Sequence, residues 1–141
     1  MRKLSAGITL IELLVTLAVV AILSSIAITS YRSYTLRANR IDGETMLLKI
    51  QVAEEKFFLQ NNTYTTAVAT APPNGLGLLA TTTSGFYNLT VVAGSTANIA
   101  TSYAATATAT GTQTKDKAAC LTLTINDQGQ RTPTDTSGCW R

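Results

Sequence analysis

The chain has 141 residues, a length that suits one small domain plus an anchor. Its formal charge of +3 comes with no basic stripe of the kind that marks a dedicated nucleic-acid domain. There is no His, the two Cys lie far apart, and neither a phosphate loop nor Gly-x-Ser-x-Gly occurs, so no enzyme activity, metal or cofactor is expected.

The run from Ile8 to Ile28 is apolar, with Glu12 its single charge. At about 1.5 Å per helical residue it spans roughly 31 Å, the thickness of a bilayer's hydrocarbon core. Arg2 and Lys3 give the positive start of a secretory signal, but the apolar stretch is too long for one and encloses Glu12. A plain anchor with Arg2 and Lys3 on the cytoplasmic side fits the length. It leaves Glu12 unexplained, because a carboxylate in hydrocarbon costs on the order of 3 kcal/mol without a partner.

Gly7-Ile8-Thr9-Leu10-Ile11-Glu12-Leu13-Leu14 resembles the prepilin signature of type IV pilins, in which a basic leader ends in Gly and the helix follows at once. That resemblance implies cleavage between Gly7 and Ile8 by a prepilin peptidase, N-methylation at Ile8, and retention of the helix. Ile8 departs from the family's usual Phe. Losing Arg2 and Lys3 with the leader takes the formal charge from +3 to +1. The divisions expected are a leader at 1–7, an apolar transmembrane and filament-core helix at 8–30, its amphipathic half at 31–60, a helix-to-sheet loop at 61–84, and a sheet at 85–141.

Beyond Ile28, Thr29-Ser30-Tyr31-Arg32-Ser33-Tyr34 reads as an interfacial belt. Neither Pro nor Gly interrupts 8–40, so one continuous helix is predicted to leave the bilayer; relatives often carry Pro where this chain has Thr29. The series Tyr34, Ala38, Ile41, Thr45, Leu48, Val52, Glu55, Leu59 has helical spacing and defines the expected apolar stripe. Ile50, Ala53 and Phe57 widen it, while Arg37, Arg40, Asp42, Glu44, Lys49 and Glu54 fall mostly off it. Gly43 is a weak spot, since Gly costs about 1 kcal/mol against Ala inside a helix. The helix is predicted to end near Gln60-Asn61-Asn62, and Pro72-Pro73-Asn74-Gly75 marks the following loop.

Three strands follow by alternation. Tyr87, Leu89 and Val91 share one face of 85–92; Tyr103, Ala105, Ala107 and Ala109 share one face of 99–109; Leu121, Leu123 and Ile125 share one face of 118–125. Asn126-Asp127-Gln128-Gly129 turns the chain into a short return at 130–132. The fold class expected is α+β, a long N-terminal helix packed on a small antiparallel meander, the pilin fold. Asp116, Asp127 and Asp135 sit among turn residues and read as solvated. Two Cys in an exported domain read as one disulfide, Cys120 to Cys139. The family commonly staples its C-terminal region in this way, and the ending Gly138-Cys139-Trp140 most resembles the PilE-type minor pilins. Trp140 is expected to pack.

The resemblance implies a pilus subunit, held as a single pass in the inner membrane of a Gram-negative bacterium and then built into an extracellular filament. Its partners would be the lipid bilayer, the prepilin peptidase and N-methylase, an inner-membrane assembly platform and other pilin subunits, serving twitching motility, adhesion or DNA uptake. Glu12 would answer the charge of a neighbour's new amino terminus in the apolar bundle. A type II secretion pseudopilin shares the leader and helix but commonly carries a calcium site in place of the disulfide. A pilin specialised for DNA is the other alternative, with Lys115, Lys117, Arg131 and Arg141 as its basic patch.

Overall fold

The computed structural model describes residues 7–134 and 138–140, in two compact units divided between Thr35 and Leu36. Arg141 and Asp135, named above, lie outside the described residues. One helix, α1, runs Leu10–Asn61 and is continuous through both units. In the first unit every large apolar side chain from Ile8 to Ile28 is at least half exposed. Thr16 and Ser25 donate their hydroxyls to Leu13 O and Ile22 O one turn back, so these polar groups are satisfied within the helix. The segment is long and apolar enough to cross a membrane.

The second unit holds the rest of α1 and a four-stranded antiparallel sheet: β1 (Tyr87–Ala93), β2 (Tyr103–Ala109), β3 (Thr122–Asn126) and β4 (Arg131–Thr132), in that spatial order. Alternation places Tyr87, Leu89, Val91, Tyr103, Ala105, Ala107, Leu123 and Ile125 inside. The register sets each large ring opposite a small residue, Tyr87 against Ala109 and Tyr103 against Ala93. The outer face carries Thr90, Thr106, Thr124 and Thr132 side by side across all four strands. β2 starts at Tyr103 rather than near Ile99 because Asn98 O accepts the N–H groups of Thr101 and Ser102, making a turn. β3 starts at Thr122 because Ala118–Cys120 closes a 3₁₀ turn, which leaves Leu121 only half-buried.

The inner face of α1 is not the one its apolar spacing suggested. Ile41, Leu48, Val52 and Leu59 of the expected stripe are exposed, Leu59 by 85%. Ile50 is buried and Ala53 and Phe57 are partly buried, as their place beside the stripe predicted, but Arg40, Glu44, Met46, Leu47 and Glu54 take the rest of the interior. Two of the polar members find partners elsewhere in the second unit: Arg40 donates to Asp116 and to Gly138 O, and Glu54 Oε2 accepts the Thr65 N–H. Gly43 also faces inward: a Cβ there would stand 3.2 Å from the Tyr87 ring. It is the close-approach point of helix and sheet rather than a defect. The helix ends at Asn61, and Asn62 adopts φ 56° while donating its N–H to Phe58 O, an Asn-type helix stop.

The loop from 62 to 86 is fastened to α1 near both ends. Glu54 Oε2 accepts Thr65 N–H at 3.1 Å, and Asp42 Oδ2 accepts the N–H and hydroxyl of Ser84 at 3.0 and 2.5 Å. Tyr64 stacks on Phe58 and meets Tyr103 edge-on, while Val68 and Leu76 are buried in the core.

Gly43→Val is expected to destabilise the full chain in non-ionic detergent by about 1–3 kcal/mol, the usual cost of overpacking. Gly43→Ala is expected near neutral, since a helix gain of about 1 kcal/mol opposes the ring contact. Urea unfolding midpoints of both variants against wild type check this pair of outcomes.

Candidate functional site

At the amino-terminal end, Thr9 precedes the first residue of α1 and its hydroxyl accepts Glu12 N–H at 3.3 Å. Thr9-x-x-Glu12 is a capping-box pattern, readable in the sequence and passed over there. Glu12 also stands in the first turn, where the helix dipole favours an anion. Gly7 and Ile8 precede the helix as exposed, irregular backbone.

In the second unit the sequence's solvated Asp116 is corrected. Its side chain is 3% exposed and takes a two-pronged ion pair from Arg40, whose Nε and Nη2 donate to the two carboxylate oxygens. Arg40 Nη1 donates to Gly138 O at 3.2 Å, tying the same guanidinium to the C-terminal segment. Gln113 Nε2 lies 2.9 Å from Asp116 Oδ2 and 3.1 Å from both Leu36 O and Tyr87 OH, and Asn39 Nδ2 donates to Gln113 Oε1 at 3.0 Å. Lys117 N–H donates to Asp116 Oδ1 at 2.8 Å. Burial works against the Asp116 charge, but the Arg40 hydrogen bonds and that N–H outweigh it and hold the carboxyl below its ordinary value. The Asp116 hydrogen bonds raise Arg40 above its ordinary value in turn. Sequence reasoning missed this pair because its members stand 76 residues apart.

Lys115 closes a 3₁₀ helix, Gly111–Lys115, and Lys117 lies two residues on, so the two exposed lysines flank the buried Asp116. Arg131 is on β4, opposite Ile125, with its guanidinium 5.3 Å from the Trp140 ring centroid. The segment bearing Lys115 and Lys117 enters the sheet at the other end of β3, so the two lysines share one exposed segment and Arg131 lies apart from it. Trp140 is 5% exposed and donates its indole N–H to Thr132 O at 3.2 Å, which fits a packing role. Cys120 and Cys139 form a disulfide across 19 residues of sequence, a closure that constrains the unfolded chain by about 3 kcal/mol in the entropic account. No group of three or more His, Cys, Asp or Glu able to hold a metal occurs among the described residues.

Glu54 is a second buried acid. It is fully buried, and only Oε2 is hydrogen-bonded; Oε1 has no partner, and neither does the buried hydroxyl of Tyr103. Burial, with a smaller push from Glu55, raises its pKa to about 7 despite the Thr65 N–H.

A family model described as "Type IV minor pilin ComP, DNA uptake sequence receptor" matches residues 29–124, more than half of the chain. The prokaryotic N-terminal methylation motif matches residues 2–28. The type IV major fimbrial protein FimA of Dichelobacter nodosus is 39% identical over 56 residues, covering 38% of this chain and 35% of that protein. A fimbrial protein of the same organism is 38% identical over 56 residues, with the same coverage. The chain thus spans about a third of the length of these curated relatives. A solved type IV pilin from Shewanella oneidensis superposes with a TM-score of 0.55 over 75% of this chain and 98% of that one. At 21% identity that likeness shows the fold, a long helix on an antiparallel sheet.

The Glu54 carboxyl gives the second unit a defined pH response. Its folded pKa of about 7 exceeds the ordinary 4.5, so the folded chain binds more protons between those values. Its contribution to stability is full below about pH 4.5 and is lost as pH rises through about 7. Glu54→Gln is expected to melt above wild type at pH 8 and level with it at pH 4, measured by circular dichroism of the full chain in detergent. An equal offset at both pH values would assign the effect to shape, not charge.

Proposed function

The chain belongs to the family of type IV minor pilins, and from that premise we propose that it is a minor subunit of a type IV pilus that takes hold of DNA for uptake. The observation that carries this reading is the extent of the family match: residues 29–124 take in the outer part of α1, strands β1 and β2, the start of β3 and the Lys115–Lys117 segment. Lys115 and Lys117 are exposed, and each cation placed on a phosphate releases counterions, which favours binding at low salt. Arg131, stacked on Trp140, and Arg141 are further contacts of the same kind.

The methylation motif at 2–28 supports processing between Gly7 and Ile8 and methylation of Ile8 by a prepilin peptidase. Before assembly the helix is stored in the inner membrane; an assembly platform then delivers it to a filament of pilin subunits. Other subunits' apolar helices replace lipid around residues 8–30 in that filament. Each amino terminus brings a positive charge into the bundle, and Glu12 of a neighbour answers it. Leaving either charge alone there costs several kcal/mol, so the pairing selects axial register.

Two outcomes follow. Glu12→Val leaves membrane insertion intact and lowers incorporation into filaments, read by immunoblot of membrane and sheared-filament fractions; undiminished incorporation removes the role of Glu12. Lys115→Ala with Lys117→Ala weakens binding of a 30-base-pair duplex by the full chain in detergent and lowers the slope of log affinity against log salt by about 2. Fluorescence anisotropy across a salt series gives both quantities, and an unchanged slope rules out these two lysines as phosphate contacts.

A further inference from the structure

The two lysines flank a residue that the fold holds with unusual care. Asp116 lies between Lys115 and Lys117, yet its carboxylate points inward and is 3% exposed. Four groups meet it: Arg40 Nε and Nη2, Gln113 Nε2 and Lys117 N–H. Gln113 is in turn held by Asn39 and by Leu36 O, both on the same turns of α1 as Arg40. Arg40 Nη1 donates to Gly138 O, beside the disulfide residue Cys139. A single guanidinium therefore fixes the segment at 113–117 and the C-terminal segment to the helix.

We infer that Arg40 and Asp116 are positioning residues for the nucleic-acid contact: their buried ion pair turns Asp116 inward and so presents Lys115 and Lys117 together, as one fixed cationic pair, to a phosphate backbone. The inference rests on the DNA reading above. A lone loop with the sequence Lys-Asp-Lys would carry an acid between its two cations, cancelling part of their field and leaving both lysines free to move. Neutralising the acid on the inside by Arg40, and pinning its backbone through Gln113 O to Asp116 N–H, removes both penalties. Arg40 itself is 6% exposed and each of its three nitrogens donates within the protein, so it does not reach the DNA.

Asp116→Asn separates positioning from simple electrostatics, because the two predict opposite signs. Removing a negative charge between two lysines should tighten DNA binding if charge alone matters. Under the positioning account it weakens binding of the 30-base-pair duplex by about fivefold or more and lowers the salt slope by about 1 to 2. Asp127→Asn makes the same change of net charge at the β3–β4 turn and is expected not to weaken binding. Arg40→Lys is the second variant: it keeps the charge but loses the two-pronged geometry, and is expected to weaken binding with no change in net charge. All are read on the full chain in detergent, at a temperature where each variant gives the wild-type far-UV spectrum. Wild-type or tighter binding by Asp116→Asn or Arg40→Lys overturns the positioning role while a loss in the double lysine variant still upholds DNA binding. A wild-type chain that fails to bind the duplex at low salt overturns both.

Discussion

Residues 8–28 present a continuous apolar surface that nothing among the described residues covers. Water is an unfavourable solvent for such a surface at roughly 25 cal/mol per Å², so the segment requires lipid or other apolar helices around it. Backbone hydrogen bonding within α1, together with Thr16 and Ser25 bonding one turn back, leaves lipid little to solvate but methyl groups. Glu12 is the exception, and its location explains its tolerance. It lies one turn inside the helix start, capped by Thr9, where the dipole already favours negative charge. On the proposed function, the same location is where it would meet the amino terminus of another chain.

The second unit faces a different problem. Its sheet interior is thin, with alanines at 93, 105, 107 and 109 beside two tyrosines, so apolar burial alone gives a modest core. Polar fastening supplements it: Arg40 with Asp116, Gln113 with Leu36 and Tyr87, Glu54 with Thr65, Asp42 with Ser84. A buried pair such as Arg40 and Asp116 adds little net stability over apolar residues of the same shape, but it tolerates few alternative registers. That specificity suits a surface segment whose exposed residues must be presented in one arrangement. The disulfide acts on the same region by limiting the unfolded chain.

Most of the fold could be read from local pattern. The alternation through Tyr87, Leu89 and Val91, the Ala/Thr repeat of β2, and Leu123 with Ile125 each put the right side chains inside, because a half-buried strand has a period of two. The apolar run and its single acid were equally plain, as was the Asn stop of α1. What local pattern could not supply was the choice of helix face. Ile41, Leu48, Val52 and Leu59 have core-like spacing but point outward, and Arg40, Glu44 and Glu54 take the interior. A polar residue can occupy a core position when its partner comes from elsewhere, and the partner of Arg40 is 76 positions away. For that reason Asp116 read as solvated, Gln113 drew no notice, and Gly43 read as a weakness before its contact with Tyr87 was visible. Lys115 and Lys117 were picked out as cations; the ion pair between them and the helix was not.

On the proposed function, the greasy segment is kept, exposed at its first residue, and used to join copies of a pilin into a fibre. The decisive measurement is the intact mass of the protein recovered from sheared filaments. The mass should correspond to a chain that begins at Ile8 with a methylated amino terminus. A chain that begins at Met1, or anywhere beyond Ile28, contradicts it.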